Sequence, residues 1–409
     1  MAKETIGVGL DIGSTKVITC VGKFEDGNIN IIGIGKSVNQ GMRKGAIVDI
    51  EETVSAISAS LEEAERMAGI PLRNAVIGID GPHIESEDSK GVIAVSRVDG
   101  EISEQDVDRV TEAARAIPNK PNREILHVIP KTYIIDGQSG IKDPVGMSGI
   151  RLEVDAHVIS SSVNALKNTY RCVEQSGLQP LSVIFSPLAT SKILLSKRQM
   201  EIGVILIDIG ASSTSYAVFE EGDLISCGVV PIGSSHISND LAIGLRTSIE
   251  VAEILKLKYG FALPDKVPEK EEIELHTIDK KEEGTVSLKY ISEIIEARLK
   301  EILLVIQERL YSIGKDGTLP AGVILTGGGA KLGGIIELTK ETLRLPAQIG
   351  SPIIDINGLV DKLEDPVYAT SVGLMLWNRE REQRSFMPDS SSVNGLITKA
   401  RDFFKQFLP

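Results

Sequence analysis

Two stretches of the chain repeat one pattern of apolar and polar positions, the first over residues 6–37 and the second over residues 204–230. Each begins with an apolar run that ends in an aspartate, Asp11 in the first copy and Asp208 in the second. A turn of glycine and hydroxyl residues follows, then a second apolar run, a charged turn with glycine and a third apolar run. The pattern predicts three strands joined by two turns in each copy. The repeat indicates a duplicated α/β domain.

Apolar residues at helical spacing follow the first copy over residues 51–68, and Gly69 is a natural end for that helix. A strand is predicted at 74–79. Between residues 82 and 162 the pattern changes to short strands with one helix, which is typical of a small separate domain. The remaining predicted elements are helices at 164–176, 237–259 and 288–311 and strands at 181–185 and 322–326.

These patterns divide the chain into segments. We predict a first core domain (residues 1–84 and 163–197) interrupted by a small α+β domain (85–162). A second core domain (198–230 and 305–380) is interrupted by a second small domain (231–304). A charged, serine-rich linker (381–394) and a terminal helix (395–409) complete the chain.

The composition narrows the classes of function. Of 409 residues, 42% are apolar and 25% charged, which is the balance of a soluble globular protein. A net charge of −13 argues against binding nucleic acid through its phosphates, so no nucleic-acid partner is expected. The chain has no apolar run long enough to span a bilayer and no signal peptide at its start, so we expect a cytosolic location. Its 3 cysteines are too far apart for a disulfide framework or a CxxC metal site.

Three turns carry the chemical signal, and each follows a predicted strand: residues 11–16, 208–213 and 327–329. Ligands of open α/β sheets bind outside the carboxyl ends of the strands. Glycine allows a backbone to approach phosphate closely, hydroxyls and a lysine can bind phosphate oxygens, and two aspartates can hold a hydrated Mg²⁺. These roles fall to Gly13, Ser14, Thr15 and Lys16 in the first turn, Gly210, Ser212 and Ser213 in the second, and the pair Asp11 and Asp208.

The third turn, Gly327, Gly328 and Gly329, would let an adenosine lie against a backbone without side chains. Any one of these turns alone is more often an ordinary β-turn. The three together, in this order, favour a nucleotide triphosphate. The chain has neither a Walker A sequence nor a GxGxxG turn after a strand, which excludes P-loop and Rossmann sites.

With these turns, the chain resembles the actin/Hsp70/sugar-kinase superfamily, and within it the FtsA family of bacterial cell-division proteins. The most specific part is the inserted domain, with ILHVIP at 125–130 and GIKDPVGMSGIRLE at 140–153. Residues 365–370 and the terminal helix also fit, so the resemblance covers essentially the whole chain.

The resemblance implies duplicated actin-like (ribonuclease H-like) domains around a cleft that binds ATP and Mg²⁺. It also implies filaments at the division septum, on the cytoplasmic side of the membrane, that anchor the ring protein FtsZ. On this pattern Gly233 lies at the phosphates, and Glu253 and Lys256 flank the adenosine. Arg298 lies near the pocket for the FtsZ C-terminal peptide, or is an ordinary exposed helix charge.

Two departures from the family pattern bear on hydrolysis. Where a glycine pair is expected, the chain has Gly233 followed by Ser234 and Ser235, and Ser235 would either crowd a phosphate or donate to it. Residues 186–190 offer no carboxylate or glutamine to orient a water molecule. We therefore predict ATP binding with weak or negligible ATPase activity and assign no catalytic residue.

The terminal segment has a continuous apolar stripe at helical spacing, with basic residues on the opposite face and one acid. A helix docked on the protein's own core is one interpretation. The serine-rich linker and the aromatic density favour a helix lying in an anionic membrane surface. The predicted membrane residues are Leu396, Ile397, Lys399, Phe403, Phe404, Phe407 and Leu408.

Two other functions use the same fold. A small-molecule kinase would need a carboxylate base in the cleft, and the sequence offers none beyond the proposed metal pair. A pilus-assembly adaptor would share the core, but the inserted-domain string and the basic tail speak against it.

Overall fold

The first sheet begins with the strands of the first repeat, β1 (Thr5–Ile12), β2 (Lys16–Glu25) and β3 (Asn28–Val38). The computed structural model describes residues 5–25, 27–97, 99–116 and 120–385. The predicted terminal helix 395–409 therefore lies outside the described residues. A hairpin of β4 (Met42–Arg43) and β5 (Ala46–Ile47) leads to helix α1 (Ile50–Ala68) and strand β6 (Asn74–Ile79).

The caps explain why α1 has these ends. The carboxylate of Asp49 accepts a hydrogen bond from the Glu52 amide at 3.1 Å, which satisfies a donor at the helix start. Gly69 takes a left-handed φ of 71° and ends the helix, as the sequence predicts.

The inserted domain is an antiparallel sheet with one helix packed on it. It contains β7 (Ile84–Ala94), α2 (Glu104–Arg115), β8 (Arg123–Ile135), β9 (Gln138–Ile141) and β10 (Arg151–Ser162), with strand order β7-β10-β8-β9. A separate hydrophobic core, which includes Val107, Val110, Leu152 and Val154, holds it together. A small α+β domain is thus inserted after β6, as predicted.

The chain then returns to the first sheet and crosses to the second through α3 (Val163–Gln175), β11 (Gln179–Phe185), α4 (Ser186–Leu194) and α5 (Lys197–Ile202). Every residue of α4 is buried. Its contacts with β6, β11, β12 and β13 place it between the two sheets. Two of its hydroxyls are satisfied within the helix, since Thr190 Oγ1 donates to the Ser186 carbonyl and Ser191 Oγ to the Leu188 carbonyl, both at 2.9 Å.

The second repeat forms β12 (Val204–Ile209), β13 (Thr214–Glu220) and β14 (Asp223–Val230). Its small domain holds α6 (Ser234–Leu245), α7 (Ile249–Tyr259), the hairpin of β15 (Glu272–Glu274) and β16 (Thr285–Ser287), and α8 (Leu288–Ser312). The helix predicted at 237–259 is two helices, because Arg246 takes a left-handed φ of 54° and Ser248 caps α7. Strand β17 (Gly322–Thr326), helix α9 (Ile335–Leu343) and strand β18 (Ala347–Ile349) complete this half.

Strand pairing confirms the duplication. Five strands of the first sheet follow the order β11-β6-β1-β2-β3, and the second sheet has the order β18-β17-β12-β13-β14. In the first sheet β2 pairs antiparallel with β1 and β3, and β1 pairs parallel with β6. In the second sheet β13 pairs antiparallel with β12 and β14, and β12 pairs parallel with β17. The two halves therefore have one topology, and β1 and β12 are equivalent strands.

The C-terminal part of the described chain corrects one predicted boundary. The sequence places residues 305–380 in the second core domain. However, β19 (Asn357–Gly358) pairs with β3, and α11 (Ala369–Ser385), which follows the short helix α10 (Val360–Leu363), packs on β1 in the first half. A side chain at Gly9 would overlap the Ser371 carbonyl, so glycine allows this close packing. Helix α11 also reaches into the segment predicted as a linker.

No helix among the described residues combines the length and the apolar character that crossing a membrane requires.

Candidate functional site

The two Asp-x-Gly turns have one geometry. The Gly13 amide donates a hydrogen bond to the Lys16 carbonyl at 2.9 Å, and the Gly210 amide donates to the Ser213 carbonyl at 3.0 Å. Each bond closes a two-residue hairpin loop, formed by residues 14–15 in the first half and 211–212 in the second. The loops therefore occupy equivalent places at the ends of β1 and β12.

The two turns and the glycine turn after β17 line one cleft. The residues predicted from sequence that line it are Asp11, Gly13, Ser14, Thr15, Lys16, Asp208, Gly210, Ser212, Ser213, Gly327 and Gly328. Lys16 reaches across from the first half, because a Cβ built on Gly328 would lie 3.2 Å from its Nζ. The ammonium group of Lys16, from the first half, therefore lies beside the backbone of Gly328, from the second half.

The glycines of the third turn differ in purpose. Gly327 has a left-handed φ of 82°, and a side chain there would overlap the Asp208 carboxylate. A side chain at Gly329 would overlap Ile209, and Gly329 lies buried behind the cleft surface. Gly328 faces the cleft, where a Cβ would meet only the end of the Lys16 side chain. Two of the glycines therefore serve packing, and the third keeps the cleft open.

Three carboxylates face this cleft, and burial raises the pKa of each. The pKa of Asp11 rises to about 7 because of burial and the nearby Asp208, although Lys16 opposes the change. The pKa of Asp208 rises to about 6 through burial, against a hydrogen bond from Thr370. The pKa of Asp80 rises to about 7 through burial and the charge of Asp208. The three carboxylates that line the cleft thus outnumber its one lining lysine, Lys16.

Sequence reasoning missed Asp80. The signal that could have found it is its position directly after the strand predicted at 74–79, where it follows a strand end as Asp11 and Asp208 do. Ser186, at the start of the segment judged to lack a carboxylate, also lines the cleft.

The donor set fits magnesium only together with phosphate. Among the described residues, no cluster of three histidine, cysteine or acidic side chains is placed to hold a metal ion. Mg²⁺ keeps several waters and takes one or two carboxylates together with substrate phosphates, which suits Asp11 and Asp208.

Three further predicted nucleotide residues lie outside the residues that line the cleft. A Cβ on Gly233 would lie 2.6 Å from the Ala211 carbonyl oxygen, so the Gly233 backbone packs closely against the second turn. The Lys256 ammonium donates to the Ser234 carbonyl at 3.2 Å, to Ser238 Oγ at 2.8 Å and to Glu253 Oε2 at 2.7 Å. Glu253 and Lys256 are therefore together, in a network that joins α6 to α7.

The two serines after Gly233, at the place of the expected glycine pair, bond to the second turn through their backbone. The Ser234 and Ser235 amides donate to the Gly210 and Ala211 carbonyls, at 2.9 and 2.8 Å. These bonds attach the start of α6 to the second turn.

Arg298 lies on α8 and is partly buried. Its guanidinium makes a bidentate pair with Asp240, at 2.6 and 2.9 Å, and also contacts Glu301. Two acids therefore compensate its charge within the protein.

The carboxylates of the cleft should make the stability of the unliganded protein depend on pH. The folded-state pKa of each carboxylate is above the ordinary value of 3.8, so the folded protein favours the protonated carboxyl groups. As pH rises from about 4 to about 7 these groups lose their protons, and the protein loses stability. Asp11→Asn should therefore raise the melting temperature at pH 8 by roughly 2 °C or more, with the difference vanishing toward pH 4. Asp265→Asn, at an exposed position, is the control. Equal melting of the variant and wild type at pH 8 would contradict this expectation.

Two family models match the chain. Residues 205–373 match the model described as "Cell division protein FtsA". Residues 81–160 match the "SHS2 domain inserted in FTSA", which coincides with the inserted domain between β6 and α3.

Curated relatives match over nearly the full length. The cell division protein FtsA of Pseudomonas aeruginosa is 36% identical over 389 residues, which cover 95% of this chain and 92% of the relative. That of Bacillus subtilis is 41% identical over 375 residues, which cover 92% of this chain and 84% of the relative.

Solved structures with low sequence identity share the fold. The "PilM-PilN type IV pilus biogenesis complex" matches with a TM-score of 0.68 at 17% identity, over 90% of this chain and 97% of that chain. MreB5 of Spiroplasma citri bound to ADP matches with a TM-score of 0.54 at 14% identity, over 94% and 99%. These likenesses establish the duplicated actin-like fold, and the identities and family models together show that the chain belongs to the FtsA family of cell division proteins.

Proposed function

We propose that this cell division protein binds Mg²⁺-ATP in the cleft and polymerises on the inner face of the cytoplasmic membrane at the division septum. There it tethers the FtsZ ring to the membrane, to which it is attached by its proposed C-terminal amphipathic helix. The observation that carries the proposal is the equivalence of the two Asp-x-Gly turns, which face one cleft while Lys16 spans it toward Gly328. That MreB5, of the same fold, has a structure bound to ADP supports a nucleotide as the ligand.

Each part of the cleft suits one part of this ligand. Ser14, Thr15 and Ser212 present hydroxyls at the loop tips, and Lys16 adds a cation for the phosphates. Asp11 and Asp208 would hold a magnesium ion together with the phosphates, and the ion would supply positive charge to offset these carboxylates. The open backbone at Gly328 leaves room for the adenosine, with Glu253 and Lys256 proposed at its far side.

The FtsZ C-terminal peptide is the proposed partner of the second small domain, and Arg298 is the residue proposed to bind it. A labelled peptide should bind the wild type and bind Arg298→Ala about tenfold more weakly, the equivalent of roughly 1.4 kcal/mol. Lys300→Ala, an exposed position on the same helix, is the matched control. Melting curves would detect any destabilisation from leaving Asp240 unpaired. Equal affinity of Arg298→Ala and wild type would make Arg298 an ordinary helix charge.

The two alternatives carry less support. A kinase would need a carboxylate base in the cleft, and Asp80 supplies a carboxylate there. Membership of the FtsA family over more than nine-tenths of the chain nevertheless favours cell division. The likeness to the pilus complex, at 17% identity, concerns the fold alone.

A further inference from the structure

The duplication gives Asp80 a defined place relative to the other cleft residues. Asp11 pairs with Gly78 across β1 and β6, and Asp208 pairs with Thr326 across β12 and β17. Two residues beyond these partners stand Asp80 in the first half and Gly328 in the second. Asp80 and Gly328 therefore hold equivalent positions on opposite sides of the Asp11–Asp208 pair.

The two sides of the cleft differ in charge. Lys16 lies against the Gly328 backbone, and its charge acts on both Asp11 and Asp208. On the other side, the charge that acts most strongly on Asp80 is that of another acid, Asp208, and Asp80 accepts a hydrogen bond from the Gly81 amide at 2.7 Å. One end of the cleft is thus cationic with an open backbone, and the other end is a carboxylate.

This polarity gives a bound nucleotide a direction. With the adenosine at Gly328, which rests on the proposed function, the triphosphate passes Lys16 and the aspartate pair and points its terminal phosphate toward Asp80. A carboxylate and a phosphate both accept hydrogen bonds, so they repel at direct contact. A water molecule between them can donate to the carboxylate while its lone pair faces phosphorus.

We propose that Asp80 is a catalytic residue that orients this water for ATP hydrolysis and accepts its proton. The water oxygen bonds to the terminal phosphorus as the bond from that phosphorus to the β,γ-bridging oxygen breaks. The electron pair of the broken bond leaves with ADP, and the proton of the water passes to the Asp80 carboxylate. Asp80 thereby supplies the group that residues 186–190 lack.

Asp80→Asn tests the role, because asparagine keeps the size and loses the proton acceptor. Affinities for ADP and a non-hydrolysable ATP analogue would be measured beside the single-turnover rate with bound ATP. The rate should fall at least about 100-fold, the typical contribution of a general base. Affinity for ADP should be unchanged, and affinity for the ATP analogue unchanged or higher, since a repulsive charge is removed. Asp265→Asn is the control for a surface charge.

The other outcomes separate the two proposals. A wild type that binds neither nucleotide would overturn the proposed function itself. A wild type that binds ATP without hydrolysing it, or an Asp80→Asn variant as fast as wild type, would overturn the role of Asp80 alone. Loss of both affinities in the variant would make Asp80 structural, and Asp80→Ser, with a smaller side chain, would repeat the comparison if the asparagine variant failed to fold.

Discussion

Gly328→Leu should lose nucleotide binding while the protein keeps its fold. A Cβ at this position meets only the mobile end of Lys16, at 3.2 Å, and Gly328 does not have a left-handed φ. The substitution therefore adds little strain, but the larger side chain would occupy the space proposed for the adenosine. We expect the affinity for ATP to fall at least about 100-fold, the equivalent of roughly 2.7 kcal/mol, with the melting temperature almost unchanged.

Two neighbouring variants make this result specific. Gly328→Ala adds one methyl group and should weaken binding far less than leucine does. Gly327→Ala should instead destabilise the protein, because it forces a left-handed φ on alanine and overlaps Asp208. Calorimetric titration and thermal melting of all three variants would separate space for the ligand from stability. Unchanged affinity in Gly328→Leu would show that the adenosine lies elsewhere.

Deletion of residues 395–409 should abolish pelleting of the protein with anionic liposomes and leave ATP binding intact. If the segment inserts as proposed, burial of its six large apolar side chains in the headgroup region would contribute roughly 9 kcal/mol gross. Fixing about a dozen residues in a bound helix, at ~1 kcal/mol each, would offset a large part of that gain. A single tail should therefore bind weakly and reversibly.

Filaments would strengthen this weak attachment. Once one subunit is bound, insertion of its neighbours is effectively intramolecular, and avidity can rise by about 100-fold or more. Asp402→Ala, which removes the only acid of the segment, is a control that should pellet at least as well as wild type. Pelleting by the deleted chain would refute the assignment of the tail as the membrane anchor.

The site could be predicted from sequence where its signals are local. An apolar strand, an aspartate and a glycine turn appear within a few residues, so Asp11 and Asp208 and their turns could be found directly. The place of Asp80 in the cleft depends on parallel pairing of β6 with β1, a relation between strands more than sixty residues apart. The turn that follows Asp80, with Gly81 and Pro82, does not repeat the Asp-x-Gly pattern of the other two.

Other features depend on contacts that no periodicity encodes. Helix α11 packs on the first sheet because Gly9 leaves room for it. The sequence of α11 itself does not indicate which of the two sheets it packs on. The family resemblance implies that Lys256 lies beside the adenosine, but only the structure reveals that its ammonium is held by Ser234, Ser238 and Glu253.

The most direct measurement is a crystal structure of the protein with Mg²⁺ and a non-hydrolysable ATP analogue. We expect the phosphates between the loops 14–15 and 211–212, the metal ion between Asp11 and Asp208, and the adenine against Gly328. A nucleotide bound at any other surface, with the space between these loops filled by protein or water alone, would contradict the account.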